Sequence, residues 1–258
     1  MRRFAIPITL AIAALLVASL ANGELTQRGN LRLAFSGKIA PKKLPRTGAA
    51  PVTMRVSGSI GTADGGRPPQ LRKIAIAFNR YGHVSTRGLP VCEAAELEQT
   101  TTEGARRTCG GSLVGHGKFT ADVAIPGRAP VPVVGDMLAF NSSKEGNPAL
   151  LLHIYVPQPA QVAFIVTFRI VRLKEGTFGT VFVARIPKIA AQLGYVTNVA
   201  LTFERRYTYR GMSRSFLSAR CAAPAGFPGA VFTLAKGSFT FTNGQRISTS
   251  LARNCWVR

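Results

Sequence analysis

A chain of 258 residues, 46% of them hydrophobic, is long enough to bury a substantial core and too apolar to remain disordered. Its 33 Lys+Arg against 11 Asp+Glu give a formal net charge of +22, which favours polyanionic partners. The scarcity of acids counts against chemistry that needs paired carboxylates, such as glycoside hydrolysis.

Residues 1–23 come first. Arg2 and Arg3, an apolar run over 4–20 and the small residues Ala21 and Gly23 have the layout of a cleavable secretory signal. Pro7 and Thr9 interrupt a run already short for about 30 Å of hydrocarbon, so the mature form is expected to start near Glu24 without a transmembrane span. The first cysteine is Cys92, far from the cleavage point, so a lipid-modified N-terminus is not expected. Leu44, Pro45, Arg46, Thr47 and Gly48 spell the LPxTG sorting pattern, but that signal works before a C-terminal apolar stretch, and this match is read as chance.

After a short strand at 31–35 and a basic loop at 41–51, Val52, Met54, Val56 and Ile60 alternate with Thr53, Arg55, Ser57 and Ser59, the period of a half-buried strand. Ile74, Ile76 and Phe78 share the face of the next strand. The one helical stretch is expected at 93–99, about two turns long, where Glu93, Glu96 and Glu98 gather acidic charge and the threonines at 100–102 end it. Strands follow at 119–125, 137–141, 150–156, 162–173 and 177–186. Val162, Phe164, Val166, Phe168 and Ile170 share one face, with Ala163 and Ile165 opposite, so that strand is expected to be covered on both sides. The last third continues with Val199, Leu201, Phe203, Tyr207 and Tyr209, then strands at 216–220, 230–241 and 246–256.

Many short strands with almost no helix predict an all-β fold, an antiparallel β-sandwich or barrel, with the sandwich favoured. A weak internal repeat divides it. Residues 52–60, 74–78 and Cys92 are similar to 181–186, 199–203 and Cys221, while Gly117, Lys118, Phe119 and Thr120 are similar to Gly237, Ser238, Phe239 and Thr240. The expected organisation is an N-terminal half over 24–157 and a C-terminal half over 158–258, meeting near Pro157 and Pro159, either as two halves or as one sandwich unit.

Cys92, Cys109, Cys221 and Cys255 allow three pairings outside the cytoplasm, and the local pairs Cys92 with Cys109 and Cys221 with Cys255 are favoured because each falls in one half. No CxxC or CxxH spacing occurs and only His83, His116 and His153 are present, so no metal site is expected. No P-loop or dinucleotide fingerprint appears, and no cofactor is expected. Cys109, Gly110, Gly111, Ser112 and Leu113 match a string of trypsin-like proteases, but the GDSGG turn and the histidine context are missing, so the glycines are read as turn residues beside a disulfide. The candidate binding face is Arg205, Arg206, Tyr207, Tyr209 and Arg210, where guanidinium planes and rings suit stacking and the charges suit phosphate or carboxylate. The parity of Phe203, Tyr207 and Tyr209 with Val199 and Leu201 equally allows those rings to be core. Trp256, beside Cys255, is expected to pack on the disulfide or an edge strand, and Asn141, Ser142 and Ser143 form a glycosylation sequon.

Gly88, Leu89, Pro90, Val91 and Cys92, the segment 112–115, the segments 138–141 and 194–197, and Cys221 followed by Gly226, Phe227, Pro228 and Gly229 together resemble a group of uncharacterised, predicted secreted proteins of actinobacteria. The resemblance covers most of the mature chain and implies a secreted bacterial context and an arginine-rich composition of genomic origin. It brings no activity and no catalytic residues. The resulting expectation is a secreted or envelope-associated, non-enzymatic β-protein, structural or ligand-binding, with an anionic envelope polymer or lipid headgroups as partner and no specific nucleic acid. The alternative is an exported hydrolase whose catalytic groups meet only in the fold.

Overall fold

The computed structural model describes residues 24–159, 161–187 and 194–258; the segment 1–23, read as a secretory signal, lies outside them. The first part of the chain forms β1 (Glu24–Arg28), β2 (Leu31–Ala40), β3 (Lys43–Leu44), β4 (Ala50–Pro51), β5 (Thr53–Thr62), β6 (Leu71–Asn79) and β7 (Gly82–Val84). A 3-10 turn at Ala94–Leu97, the helix α1 (Thr102–Cys109) and a second 3-10 turn at Gly110–Ser112 lead into β8 (Leu113–Val123), β9 (Val131–Lys144) and β10 (Asn147–Val156). Then come β11 (Val162–Arg172), β12 (Phe178–Arg185), β13 (Gly194–Phe203), β14 (Arg206–Tyr209), β15 (Met212–Ser215), β16 (Leu217–Ala219), β17 (Gly229–Phe241) and β18 (Arg246–Val257).

Alternation explains the long strands. Strand β2 buries Leu31, Leu33, Phe35 and Ile39 and exposes Arg32 and Lys38. Strand β10 is covered on both faces: Leu150, Leu152 and Ile154 point into the main core, and Leu151 packs outward with Leu138 and Phe140 against Leu97, Ala105 and Cys109 of the helical segment. That outer cover reaches β11 only at Ile165, while Val162 and Val171 near the two ends are 49% and 40% exposed, so the expected two-sided burial of this strand holds only in its middle.

The helical segment also differs from expectation. Residues 94–97 make a single 3-10 turn, braced by the Glu93 amide donating to the Glu96 carboxylate at 2.6 Å, and the chain then reverses at Gln99 with φ 57°. The helix proper is α1, begun by the threonines that were read as an end. Thr101 is its N-cap, the hydroxyl accepting from the Gly104 amide at 3.1 Å, while Ala105 and Cys109, one turn apart, form its buried face.

Thirteen strands form one sheet in the order β1-β2-β5-β13-β8-β9-β10-β11-β12-β6-β17-β18-β3, antiparallel except for the β18–β3 pair. The run β2-β5-β13-β8-β9 has the same pattern as β11-β12-β6-β17-β18, with β6 and β13 having changed places. The two sequence matches fall on equivalent pairs: Gly117 lies opposite Leu201, and Gly237 lies opposite Ile76. In the sheet β10 precedes the second run as β1 precedes the first.

The sheet curls until its flanks meet. Glu24 accepts from the Ala252 amide at 3.1 Å, Arg28 donates to the Arg246 carbonyl at 2.5 Å, and Arg253 donates to the Gly37 carbonyl at 2.7 Å, so β1 and β2 close against β18. Across the interior Phe35 meets Phe239 edge-on at 6.2 Å. Leu44 of the LPxTG string is wholly buried where β3 joins β18, out of reach of a transpeptidase. The interior of the curled sheet retains an apolar cavity of about 150 Å³.

Two bridges secure the ends. Cys92–Cys109 links the approach to the 3-10 turn with the end of α1, and Cys221–Cys255 ties β18 to the segment after β16.

The interleaving predicts that segments 24–145 and 146–258, made separately, stay unfolded by near-ultraviolet circular dichroism and acquire a cooperative transition only when combined. At Gly117 an added Cβ would lie 2.0 Å from the Ala200 carbonyl oxygen, a backbone atom that cannot step aside. Gly117→Ala is therefore expected to lower stability by about 2 kcal/mol in denaturant titration.

Candidate functional site

The chain places the candidate face on a projecting two-stranded hairpin. Strands β14 and β15 pair Tyr207 with Arg214 and Tyr209 with Met212, and the turn residues Arg210 and Gly211 both have positive φ, 51° and 73°, as a type I′ hairpin requires. The two rings are committed to the molecule itself. Tyr207 donates its hydroxyl to the Arg87 carbonyl at 2.9 Å, and the Tyr209 ring lies across Gly88, where an added Cβ would come within 2.4 Å of it. Arg210 stacks over Tyr209 at 5.4 Å. Both tyrosines thus fasten the hairpin to the loop after β7.

The arginines divide differently. Arg205 is drawn inward, donating to the Gly111 carbonyl at 3.3 Å, with its Nε buried and unpartnered. Arg206 is exposed on the face turned away from the tyrosines, Arg210 on the turn, and Arg214 on the tyrosine face. Arg206 and Arg214 have no carboxylate partner among the described residues. Arg214 belongs with the predicted face and was missed in the sequence, although the Arg210-Gly211 turn signal would have set it opposite Tyr207.

A separate surface groove brings together the groups a hydrolase would need. It is bordered by Thr101, Glu103, Arg106, His116, Lys118 and Asp136. His116 Nδ1 stands 3.7 Å from Glu204 and Lys118 Nζ 3.2 Å from Asp136, all four side chains being well exposed. Water screens such pairs, and catalytic charge needs a drier setting.

The histidines with shifted acidity lie elsewhere. His153 on β10 is fully buried beneath the turn before α1; its Nε2 donates to the Thr100 carbonyl at 3.0 Å, and its Nδ1 has no partner. Burial pulls its pKa below 6.5, against the raising effect of the Thr100 bond. His83 is lowered by desolvation first and then by Arg172 and Arg220. Glu96 lies within 4.8 Å of the sulfurs of Cys92 and Cys109, but these are bonded to each other and cannot ligate a metal.

Other sequence features acquire structural roles. Asn141 of the sequon is buried and donates to the Pro90 carbonyl at 2.8 Å, while Ser142 donates to the Cys92 carbonyl at 2.7 Å, so the folded chain presents no glycan acceptor there. The Gly110–Ser112 turn carries α1 into β8. Trp256 packs against Gly229 of β17, a strand flanked by β6 and β18 and so not an edge, and 47% of it remains exposed.

No family model, curated protein or solved structure matches this chain. Among the described residues no helix is long and apolar enough to cross a membrane.

The state of His153 sets a pH dependence. Its folded pKa is lowered, so the unfolded chain binds the proton more readily and stability is full above about pH 6.5 and declines as pH falls below it. Denaturant midpoints measured from about pH 7 to about pH 5 are expected to drop, and His153→Gln is expected to flatten that slope, leaving the share of the same sign from His83.

Proposed function

We propose that this is an exported, non-enzymatic binding protein that engages an anionic polymer of the cell envelope through its basic surface, with the β14–β15 hairpin as the principal contact. The observation that carries this reading is the set Arg206, Arg210 and Arg214, exposed on a hairpin that Tyr207 and Tyr209 anchor and in ion-pair contact with no carboxylate among the described residues. The anchored hairpin presents these guanidinium groups on both of its faces and at its turn, where each can meet phosphate or carboxylate groups and release counterions when it does. The excess of Lys and Arg over Asp and Glu along the rest of the chain adds long-range attraction to the same partners. Export is supported by the signal-like N-terminal segment and by two disulfides, which persist in oxidising compartments.

Linear polyphosphate serves as the probe. The intact protein is expected to bind it with an affinity that falls steeply as salt rises toward about 0.15 M. Changing Arg206, Arg210 and Arg214 together to Gln is expected to make the slope of log affinity against log salt shallower by about 2. An unchanged slope removes the hairpin from the interface, and binding to phosphatidylglycerol vesicles but not to the polymer reassigns the partner to lipid headgroups.

A further inference from the structure

Two spaces of opposite character share a wall at one end of the sheet. One is the lumen cavity of about 150 Å³, walled by side chains such as Val56, Ile76, Leu152, Phe168 and Val199. A cavity of that size and polarity stays dry and accepts an apolar group on the order of six carbon atoms. The other is a cleft where β6 and β13 begin and β12 ends. Arg72, Lys73, Arg185 and Arg246 border it, together with the hydroxyls of Ser238 and Thr240, and none of the described residues around it is acidic. Leu71, Val196 and Phe239 border both spaces.

We propose that lumen and cleft form one binding site for a small anionic amphiphile, its alkyl or aryl end in the lumen and its carboxylate or phosphate among Arg72, Lys73, Arg185 and Arg246. The lumen alone would select any hydrocarbon, and the cleft alone any anion. Their common border makes a molecule carrying both ends the best fit, because burying the tail keeps the anion within the field of cations that have no acid among them. Strand closure also suits this role: a curled sheet with an apolar interior can hold one small ligand, and its rim supplies the polar groups that orient it. The site is remote in the chain from the β14–β15 hairpin and does not depend on the polyanion reading.

Hexanoate is the probe, titrated calorimetrically into the intact protein, with acetate and hexanol as the two half-ligands. Hexanoate is expected to bind at least roughly tenfold more tightly than either. Val199→Phe, which narrows the lumen, is expected to weaken hexanoate about tenfold while leaving acetate unchanged; Leu152→Phe gives the same test should the first variant fail to fold. Arg185→Gln combined with Arg246→Gln is expected to bring hexanoate down to the level of hexanol. Absence of hexanoate binding, acetate or hexanol binding as tightly as hexanoate, or lumen variants that bind it like the unaltered protein would each overturn the proposal.

Discussion

Because β6 lies between β12 and β17, and β13 between β5 and β8, neither half of the chain can finish a hydrophobic layer with its own strands. Phe78 of β6 packs edge-on against Phe182 of β12 at 5.5 Å, and Phe203 of β13 lies between strands of the first half while stacking on Phe216 at 6.0 Å. The apolar interior, the closure of β1 and β2 against β18 and the alignment of the lumen with the basic cleft all depend on this exchange. Its cost is kinetic: pairings far apart in sequence must form before any layer is complete, which slows folding relative to a sheet built from successive hairpins.

The exchange also explains where variation sits. The segments that follow β6 and β13 occupy corresponding places, and β7 and β16, one from each, pair with one another. Beyond that contact they diverge. The first insertion becomes the disulfide-tied helical cover over β9 and β10; the second becomes the arginine hairpin. A repeated scaffold thus carries two unlike attachments.

Strand positions were legible because a half-buried strand writes its two faces into alternate residues, as in β2, β5 and β17. The local disulfide pairs were legible for a similar reason, each joining cysteines within one half. Strands β3, β4 and β7 were not, since two or three residues have no period. Helix α1 was misplaced because threonines are poor helix interiors and good N-caps, and only the hydrogen bond from Gly104 to Thr101 distinguishes the two. The tyrosines of the candidate face share the parity of Val199 and Leu201, yet their partner is the loop around Arg87 and Gly88, a contact that no local pattern encodes. Neither the lumen nor its rim could be read from residue order, since both appear only when the sheet closes.

The Cys221–Cys255 bridge has a different dependence on chain completion from its counterpart. Cys92 and Cys109 are 17 residues apart and can meet as soon as the helical segment exists, whereas Cys255 arrives only with the last strand. A chain cut short before β18 would leave Cys221 as a lone thiol next to an uncovered β17 edge, a thiol open to exchange beside a strand edge open to pairing. The second disulfide is thus a chemical record that the C-terminal strand has docked, and it separates finished molecules from truncated ones.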